Sequence, residues 1–525
     1  MKRALGFAVL LLLLPSCAEP PGSHESTISF NISEDPHSLN PLLAQSDDEQ
    51  QLMRLSFDML LDVDAKGRLI PMLAARVPTV QNGDVSRDGR RIVYHLRRGV
   101  TWQDGSPFTS RDVWATWRAI VDPRNLVAST RGYDLITSIA TPDRFTAVVT
   151  LSRPWAPAVL TLFTNGPHPY PILPANLLSN SASLAALATH PIGTGPYRLI
   201  DWVRGDHLTY GANPHYFRGP PRTQRLIVRE VPDVNTDLTM LQSGDLDWSL
   251  ISPAERAGIE HDADIHFVFA PFSGFGALAF NCRRFPFEDV RLRRAVALSI
   301  DRAALSSDIT RGQYPVTDSD QPVFSWAYDP MAVEPLFNPK AVDMLFDRLG
   351  WRLSKDGLRR KDGQLLSIVL VTFPEGDTAV RSAIYVQEML RERGLDVTLK
   401  RVTLAQFYLP ASEHGLLMSG NFDLAYIALR SGGDPDDSDL LTCRGTANYA
   451  GYCDAQIDAL EMRALATPDT AARKALYAQI QRRIAAAVPY LFLYAPRYGY
   501  ADRDVSGFAP TPYAATANAY LWVKN

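Results

Sequence analysis

The chain has 525 residues, of which 46% are hydrophobic, 21% charged and 10% aromatic. This is the balance of a globular protein of two or three domains, and it excludes a disordered chain, a collagen-like chain and a small disulfide-stapled protein. Fifty-three basic side chains against 57 acidic ones give a net charge of −4, so no partner of nucleic acid type is expected.

Residues 1–16 predict an export signal. Lys2 and Arg3 form a charged start, and the apolar run over 4–14 is too short to span a bilayer but has the length of a signal core. The Leu-Pro-Ser-Cys segment that ends at Cys17 resembles a bacterial lipobox, in which the cysteine carries a lipid. We therefore expect a lipoprotein of the periplasm or cell surface, tethered to the membrane at Cys17. The alternative is a plain secretory signal followed by an unrelated cysteine.

Strand signals are frequent over residues 50–190. Apolar and polar side chains alternate over 92–97 and again over 145–151, which is the period of a half-buried strand. Glycine and proline residues punctuate this region heavily, as they do in turns. The region is therefore predicted to be rich in hairpins.

Helical signals follow, and over 280–490 helices alternate with strands. Asp289 is the predicted cap of a helix with apolar side chains at every fourth residue. Thr467 and Pro468 predict the cap and first residue of another helix. Together with the hairpins, these patterns predict a mixed α/β fold.

Three cysteines remain after Cys17. Cys443 and Cys453 close a short loop, and export favours oxidation, so they are predicted to form a disulfide. Cys282 lies in an apolar stretch and is predicted to be a buried thiol. The alternative is a metal cluster, but the spacings match no zinc pattern and no two histidines stand at a His-x3-His spacing.

Motifs of the common hydrolases, metallopeptidases and phosphate-binding enzymes are missing from the sequence. The Asp-Pro-Asp-Asp segment at 434–437 has the oxygen ligands of a cation-binding loop but not the spacing of an EF-hand, and a capped turn is favoured instead. We therefore expect no catalytic site, no cofactor and no metal. The exported classes left open are a solute receptor, an unfamiliar hydrolase and an adhesion or scaffold protein.

An ordered set of segments resembles the peptide/nickel/opine-binding family of extracellular solute-binding proteins, which serve ABC importers. The resemblance covers about residues 27–495, and the order of the segments makes it specific. The segments are Asp35–Leu42, Phe57–Leu60, Gly67–Ala74, Tyr94–Val113, Pro191–Tyr197, Asn213–Phe217, Ser243–Asp247, Phe280–Cys282, Asp289–Ala295 and Ile300–Arg302.

The resemblance implies a type II periplasmic-binding-protein fold with two lobes, an extra inserted domain and a ligand cleft between the lobes. Hinge closure of such a cleft buries a small solute. The implied ranges are 27–50, 190–277 and 490–525 for lobe I, 51–189 for the inserted domain and 278–489 for lobe II.

The resemblance also implies a ligand site, but this chain departs from it. Where peptide-binding relatives have an aspartate for the ligand's amino group, the sequence has Ser431, and a hydroxyl cannot supply the charge that a desolvated ammonium needs. The arginine that pairs with a dipeptide's carboxylate has no counterpart near 371–374. Arg430, Ser431 and Asp434 are the predicted polar groups of the cleft; the alternative is an ordinary loop.

The predicted function is that of a receptor that captures a peptide or related small solute and delivers it to an ABC permease and its ATPase. A second hypothesis is an exported protein of the same fold that acts as a sensor or a chaperone-like partner of other proteins. An envelope hydrolase is a third hypothesis, which the missing motifs disfavour.

Overall fold

A computed structural model of the protein describes residues 26–44, 46–166, 168–179, 181–374, 377–409 and 414–525. The predicted signal at 1–16 and the predicted lipid anchor Cys17 lie outside these residues. Within the described ranges, no helix has both the length and the apolar character needed to cross a membrane.

The strands are β1 (Thr27–Ile32), β2 (Leu61–Val63), β3 (Leu69–Pro71), β4 (Arg91–His95), β5 (Ile136–Asp143), β6 (Thr146–Leu151), β7 (Tyr197–Val203), β8 (His207–Ala212), β9 (Arg225–Glu230), β10 (Trp248–Ile251), β11 (His266–Pro271), β12 (Gly274–Phe280), β13 (Arg352–Leu353), β14 (Arg359–Lys361), β15 (Gln364–Leu365), β16 (Ser367–Thr372), β17 (Asp396–Arg401), β18 (Leu424–Arg430), β19 (Tyr490–Tyr494), β20 (Arg497–Asp502), β21 (Val505–Ser506) and β22 (Val523–Lys524).

The α-helices are α1 (Asp47–Ser56), α2 (Ser110–Ile120), α3 (Ala158–Thr161), α4 (Ser181–Ala186), α5 (Val234–Ser243), α6 (Pro253–Ile259), α7 (Val290–Leu298), α8 (Arg302–Thr310), α9 (Pro339–Arg348), α10 (Asp377–Glu392), α11 (Leu404–Tyr408), α12 (Leu416–Ser419), α13 (Ser438–Leu441), α14 (Ala455–Ala466) and α15 (Thr470–Ala487).

A seven-stranded sheet with the order β11-β20-β10-β1-β9-β8-β7 forms the first large layer. β1 is parallel to both of its neighbours, β9 and β10. Its alternating residues Ile28, Phe30 and Ile32 are buried, as the period of a half-buried strand requires. The ring of Phe30 stacks on that of Trp248 with a centroid distance of 4.4 Å and meets Trp522 edge-on at 6.0 Å. This aromatic cluster anchors the sheet's core.

A five-stranded sheet with the order β17-β16-β18-β12-β19 forms the second large layer. Every residue of β12 and β19 is buried, which explains why both strands read as continuous apolar runs. Both strands belong to this sheet by their hydrogen bonds, whereas the ranges implied by the resemblance put 274–277 and 490–494 with the first lobe. The chain passes between the two sheets at Phe272–Ser273 and at Ala495–Pro496.

A smaller three-stranded sheet, β4-β6-β5, forms a separate body with helix α2. β4 and β6 confirm the strands predicted from the alternation over 92–97 and 145–151. Their inward side chains join a core that runs from Leu42 to Leu187 and is distinct from the cores of the two large sheets. We call this part the hairpin body. Its agreement in position with residues 51–189 fits the inserted domain, but the division into domains stays a prediction.

The helix signals are confirmed in one case and wrong in another. Asp289 caps α7, as predicted. Helix α15, however, begins at Thr470 with Asp469 as its cap, whereas Thr467 ends the preceding helix and Pro468 lies in the link. The threonine hydroxyl bonds back to a carbonyl of its own helix, and the carboxylate of Asp469 caps the next helix instead.

Candidate functional site

The parallel strands of the two large sheets end at facing edges. In the seven-stranded sheet β1, β9 and β10 run in one direction, and in the five-stranded sheet β16, β17 and β18 do the same. Both passages of the chain join these two carboxyl edges, because β11 ends and β20 begins at one of them while β12 begins and β19 ends at the other. In open α/β sheets, ligands bind outside the carboxyl ends of the strands. We call the region between the two edges the junction.

The two passages lie side by side. The backbone N–H of Phe272 in one passage donates to the carbonyl of Pro496 in the other at 3.1 Å. Each passage is two residues long, so the sheets are joined by short, mutually bonded segments. Such segments are where a hinge between two rigid layers lies.

Arg430, the last residue of β18, reaches across the junction. Its guanidinium donates to the carboxylate of Asp47 at 2.5 Å and to the hydroxyl of Tyr498 at 2.7 Å, and it lies 5.2 Å from the centre of the Phe272 ring. Asp47 is the first residue of α1. The sequence-predicted cleft residue Arg430 therefore lies at the junction, but its charge is already paired within the protein.

Ser431 follows at the same edge and is buried. Its N–H donates to the carbonyl of Ser273 at 2.7 Å, and its hydroxyl donates to the carbonyl of Asp320 at 3.3 Å. The hydroxyl of Ser273 is in turn hydrogen-bonded to that of Tyr513 at 3.2 Å. The backbone around Ser431 is thus fixed between the chain passage, the loop that holds Asp320 and the C-terminal segment.

Asp434 lies deeper, with both carboxylate oxygens bound to Arg473 at 2.7 Å. The Arg473 guanidinium also donates to the hydroxyl of Tyr477 at 3.0 Å and lies 5.3 Å from the ring of Trp326. Burial raises the pKa of Asp434, and the charge of Arg473 opposes that rise. A solute would have to compete with Arg473 for this carboxylate.

Further carboxyl groups surround this ion pair. Glu461 in α14 is fully buried, and neither of its oxygens has a hydrogen-bond partner within the described part of the chain. Burial raises its pKa well above the usual value, and the nearby Asp436 and Asp320 add to the rise. Burial likewise raises the pKa of Asp437, with Asp320 as the next cause. Burial and mutual repulsion therefore disfavour the charged forms of these carboxyl groups.

The hairpin body contacts the same segment from the other side. Arg131 forms ion pairs with Asp436, at 2.8 Å, and with Asp439. The carbonyl of Asn165 lies beside Gly433, where it would be 3.6 Å from an added β-carbon. The Asn165 side-chain oxygen and the Thr164 hydroxyl are buried and have no partner among the residues that the structure describes. Buried polar atoms are normally bonded, so these two are candidates to be satisfied by a bound molecule.

A cavity of about 380 Å³ lies along the carboxyl edge of the seven-stranded sheet. The ends of β1, β9 and β10, the start of β20 and the ring of Tyr314 form its walls. Asp237 faces it and accepts a hydrogen bond from the Ser249 hydroxyl at 2.6 Å with one oxygen, while the other oxygen has no partner in the described ranges. Burial raises the pKa of Asp237 to about 6. The junction thus holds a space with polar groups on an apolar frame, which is the composition of a solute site.

The structure places three cysteines and tests the alternative of a metal cluster. Cys443 and Cys453 are joined by a disulfide with an S–S distance of 2.08 Å. Cys282 is a free thiol that follows β12, and it is only partly buried, so the prediction of a buried thiol is wrong in the degree of burial. Desolvation still raises its pKa to about 11. Across the described ranges, no three histidine, cysteine or acidic side chains are grouped so that they could hold a metal ion.

Sequence reasoning did not find several residues of the junction. Asp47, Ser273, Tyr498 and Tyr513 come from chain segments far from Ser431, and no local motif marks them. Arg473 did carry a signal, because it stands on the same helix face as the apolar residues of α15 and a buried charge there needs a partner.

Comparison with known proteins agrees with this geometry. Residues 68–451 match the family model of the bacterial extracellular solute-binding proteins, family 5. The chain is 28% identical to Protein XP55 of Streptomyces lividans over 476 residues, or 89% of this chain and 83% of that protein. It is 23% identical to the oligopeptide-binding protein AppA of Bacillus subtilis over 93% of this chain and 90% of the relative.

Solved structures agree on the fold. The structure of AppA in complex with a nonapeptide matches with a TM-score of 0.73 and 22% identity over 95% of this chain and 99% of that one. NikA of Brucella suis, solved in complex with Fe(III)-EDTA, matches with a TM-score of 0.82 and 22% identity over 95% of this chain and 100% of that one. The predicted type II periplasmic-binding-protein fold is confirmed.

Proposed function

Because the chain belongs to the bacterial extracellular solute-binding proteins of family 5, the receptors of ABC importers, we propose that it captures a peptide or a related small solute at the junction and passes it to a permease and ATPase. The observation that carries the proposal is the meeting of two carboxyl edges at short chain passages, with a cavity along the edge of the seven-stranded sheet. Buried polar atoms nearby have no partner among the described residues. A solute enclosed there would satisfy those atoms and hold the two sheets together.

The predicted cleft residues offer no free charge to the charged ends of a short peptide. Ser431 supplies no charge, and Arg430 and Asp434 are paired with Asp47 and Arg473. A free ammonium or carboxylate would therefore have to break an existing ion pair to be held by these side chains, at a cost in affinity. We favour longer or modified peptides, or non-peptide solutes, over free dipeptides.

The remaining parts of the proposal rest on family membership and on the N-terminal sequence. Relatives are binding proteins, so we propose a receptor without catalytic activity. The signal at 1–16 and the lipobox-like segment at Cys17 support export and a lipid tether in the periplasm or at the cell surface. We keep the division into lobe I, an inserted domain and lobe II, but we propose that lobe I and lobe II meet at the two chain passages, Phe272–Ser273 and Ala495–Pro496.

The test is the mass of whatever co-purifies with the full-length protein from its native envelope, followed by isothermal titration with that compound and scattering of the free and bound protein. Binding with compaction supports the receptor. Ser431→Trp and Arg430→Ala should weaken binding, whereas Ser419→Trp, on an exposed helix end, should not. If no small compound binds and a signalling or folding protein is recovered instead, the receptor is wrong and the sensor or chaperone-like hypothesis takes its place.

A further inference from the structure

A second cavity, of about 240 Å³, lies where the hairpin body meets the elements around the five-stranded sheet. It shares no lining residue with the cavity at the carboxyl edge of the seven-stranded sheet. The hairpin body contributes Val77, Val80, Trp155 and Leu160, and the opposite wall contributes Trp326 and Arg473.

Two tryptophans and a larger number of aliphatic side chains form most of the walls, and the charged residue of the described lining is paired. Trp155 is buried against Gly132, where a β-carbon would overlap its ring. Trp326 lies under the guanidinium of Arg473, whose charge is neutralised by Asp434 in a bidentate ion pair. Because Arg473, the cation in the described lining, is already paired, the site favours an uncharged apolar group over an anion.

The cavity shares its wall with the junction. The carbonyl of Leu160 would lie 3.5 Å from an added β-carbon at Gly433, and Arg473 binds Asp434. Gly433 and Asp434 follow Ser431 by two and three residues at the carboxyl edge. A solute held against Ser431 is thus separated from the cavity only by a short backbone segment and its ion pair.

The cavity exists only while its two halves are in contact. The backbone N–H of Ala156 in the hairpin body donates to the carbonyl of Leu465 in α14 at 2.8 Å, next to Trp155. The ion pair of Arg131 with Asp436 holds the same two parts together. Separating the parts would expose both tryptophan faces, so a guest in the cavity favours the apposed state.

We propose that this cavity binds an uncharged aromatic or branched aliphatic group, and that solutes carrying such a group are preferred by the receptor. The inference rests on the proposed function for its solute. Burial of one group of this size improves affinity by about 10- to 100-fold over a solute without it.

The test uses the full chain and three probes: indole, and the end-blocked tripeptides Ala-Phe-Ala and Ala-Ala-Ala. Indole should bind in isothermal titration and should change the tryptophan emission, and Ala-Phe-Ala should bind about 10- to 100-fold more tightly than Ala-Ala-Ala. Val80→Trp fills the cavity and should abolish indole binding and the tripeptide preference. Val203→Trp adds the same atoms on an exposed edge strand and should change neither.

Trp326→Phe keeps an aromatic wall and should weaken indole binding without abolishing it, which separates loss of the site from loss of folding. If the tripeptides bind equally and Val80→Trp leaves both affinities unchanged, the cavity proposal is overturned while the receptor stands. If indole binds and is lost in Val80→Trp but no tripeptide binds, the cavity proposal is supported and the peptide ligand class is wrong. Failure of indole to bind any of the folded variants or the parent overturns the cavity proposal.

Discussion

The guanidinium of Arg430 and the carboxylate of Asp47, 383 residues apart in sequence, lie 2.5 Å from each other and join the two large sheets across the junction. Their pairing means that this contact between the sheets forms without a bound solute. The free energy of closure therefore has two sources, the ion pair within the protein and the contacts that a bound solute makes.

Replacing Asp47 with alanine should favour the open arrangement of the sheets. A partly exposed ion pair contributes about 0.2–1 kcal/mol, so the open fraction should rise by up to about fivefold and the solute-free radius of gyration should increase. Small-angle scattering measures this radius of gyration. Arg430→Gln should have the same effect, and the double variant should add little. The control Asp122→Ala breaks a surface pair with Arg124 that does not cross the junction; equal radii in all variants would contradict the role of the pair.

Breaking the buried pair of Asp434 and Arg473 should destabilise the protein strongly. Arg473→Met leaves the Asp434 carboxylate buried without its partner, and such a loss costs about 3–5 kcal/mol. Denaturant unfolding should show this as a lower midpoint for the second large layer. The double variant Arg473→Met with Asp434→Leu should recover much of the loss, because neither charge then remains. A single variant as stable as the parent would show that water reaches this pair.

The Glu461 carboxyl should make stability depend on pH. Its pKa is raised in the folded protein, so it contributes fully below the usual glutamate pKa of about 4.3, and this contribution is lost as pH rises toward the folded pKa, while the unfolded chain ionises. Asp320, Asp434, Asp436 and Arg473 face it. Glu461→Gln should match the parent near pH 4 and exceed its melting temperature at pH 8.

The control for this pH prediction is Glu288→Gln, on an exposed position, which should shift neither curve. Asp437 also has a raised pKa and remains in the variant, so part of the pH dependence should persist. If Glu461→Gln lowers stability equally at both pH values, the raised pKa of Glu461 is contradicted.

Replacing Cys17 with serine should release the protein from the membrane. A thioether-linked lipid requires the cysteine, and a soluble envelope fraction is expected without it. Fractionation of cells followed by immunoblotting measures the change. Cys282→Ser removes a partly buried thiol that lies outside the lipobox-like segment, and it should leave the attachment as it is. Membrane attachment that persists in the Cys17 variant would contradict the tether.

Local features of the fold could be predicted from the sequence. The cap at Asp289 and the alternating strands β4 and β6 depend on residues within one or two turns of each other, where sidedness and capping decide the structure. The threonine-proline pair predicts a start of α15 that lies two residues too early, because the carboxylate of Asp469 caps the helix and the hydroxyl of Thr467 does not.

The junction could be predicted only in part. Arg430, Ser431 and Asp434 were selected because a family resemblance aligned them, but their partners Asp47 and Arg473 depend on how whole sheets are placed. Pairing across 383 residues leaves no periodic trace in the sequence. What the sequence did hold was a single arginine on the apolar face of α15, a buried charge that requires an acid somewhere in the fold.

The side-by-side passages at Phe272–Ser273 and Ala495–Pro496 restrict how the halves of the molecule turn. Two neighbouring strands of chain, tied by the bond from Phe272 to Pro496, define a line, and rotation about a line is a single degree of freedom. The two halves are therefore expected to close in the same relative orientation each time. A permease that reads the outer faces would meet one shape with cargo aboard and another without it.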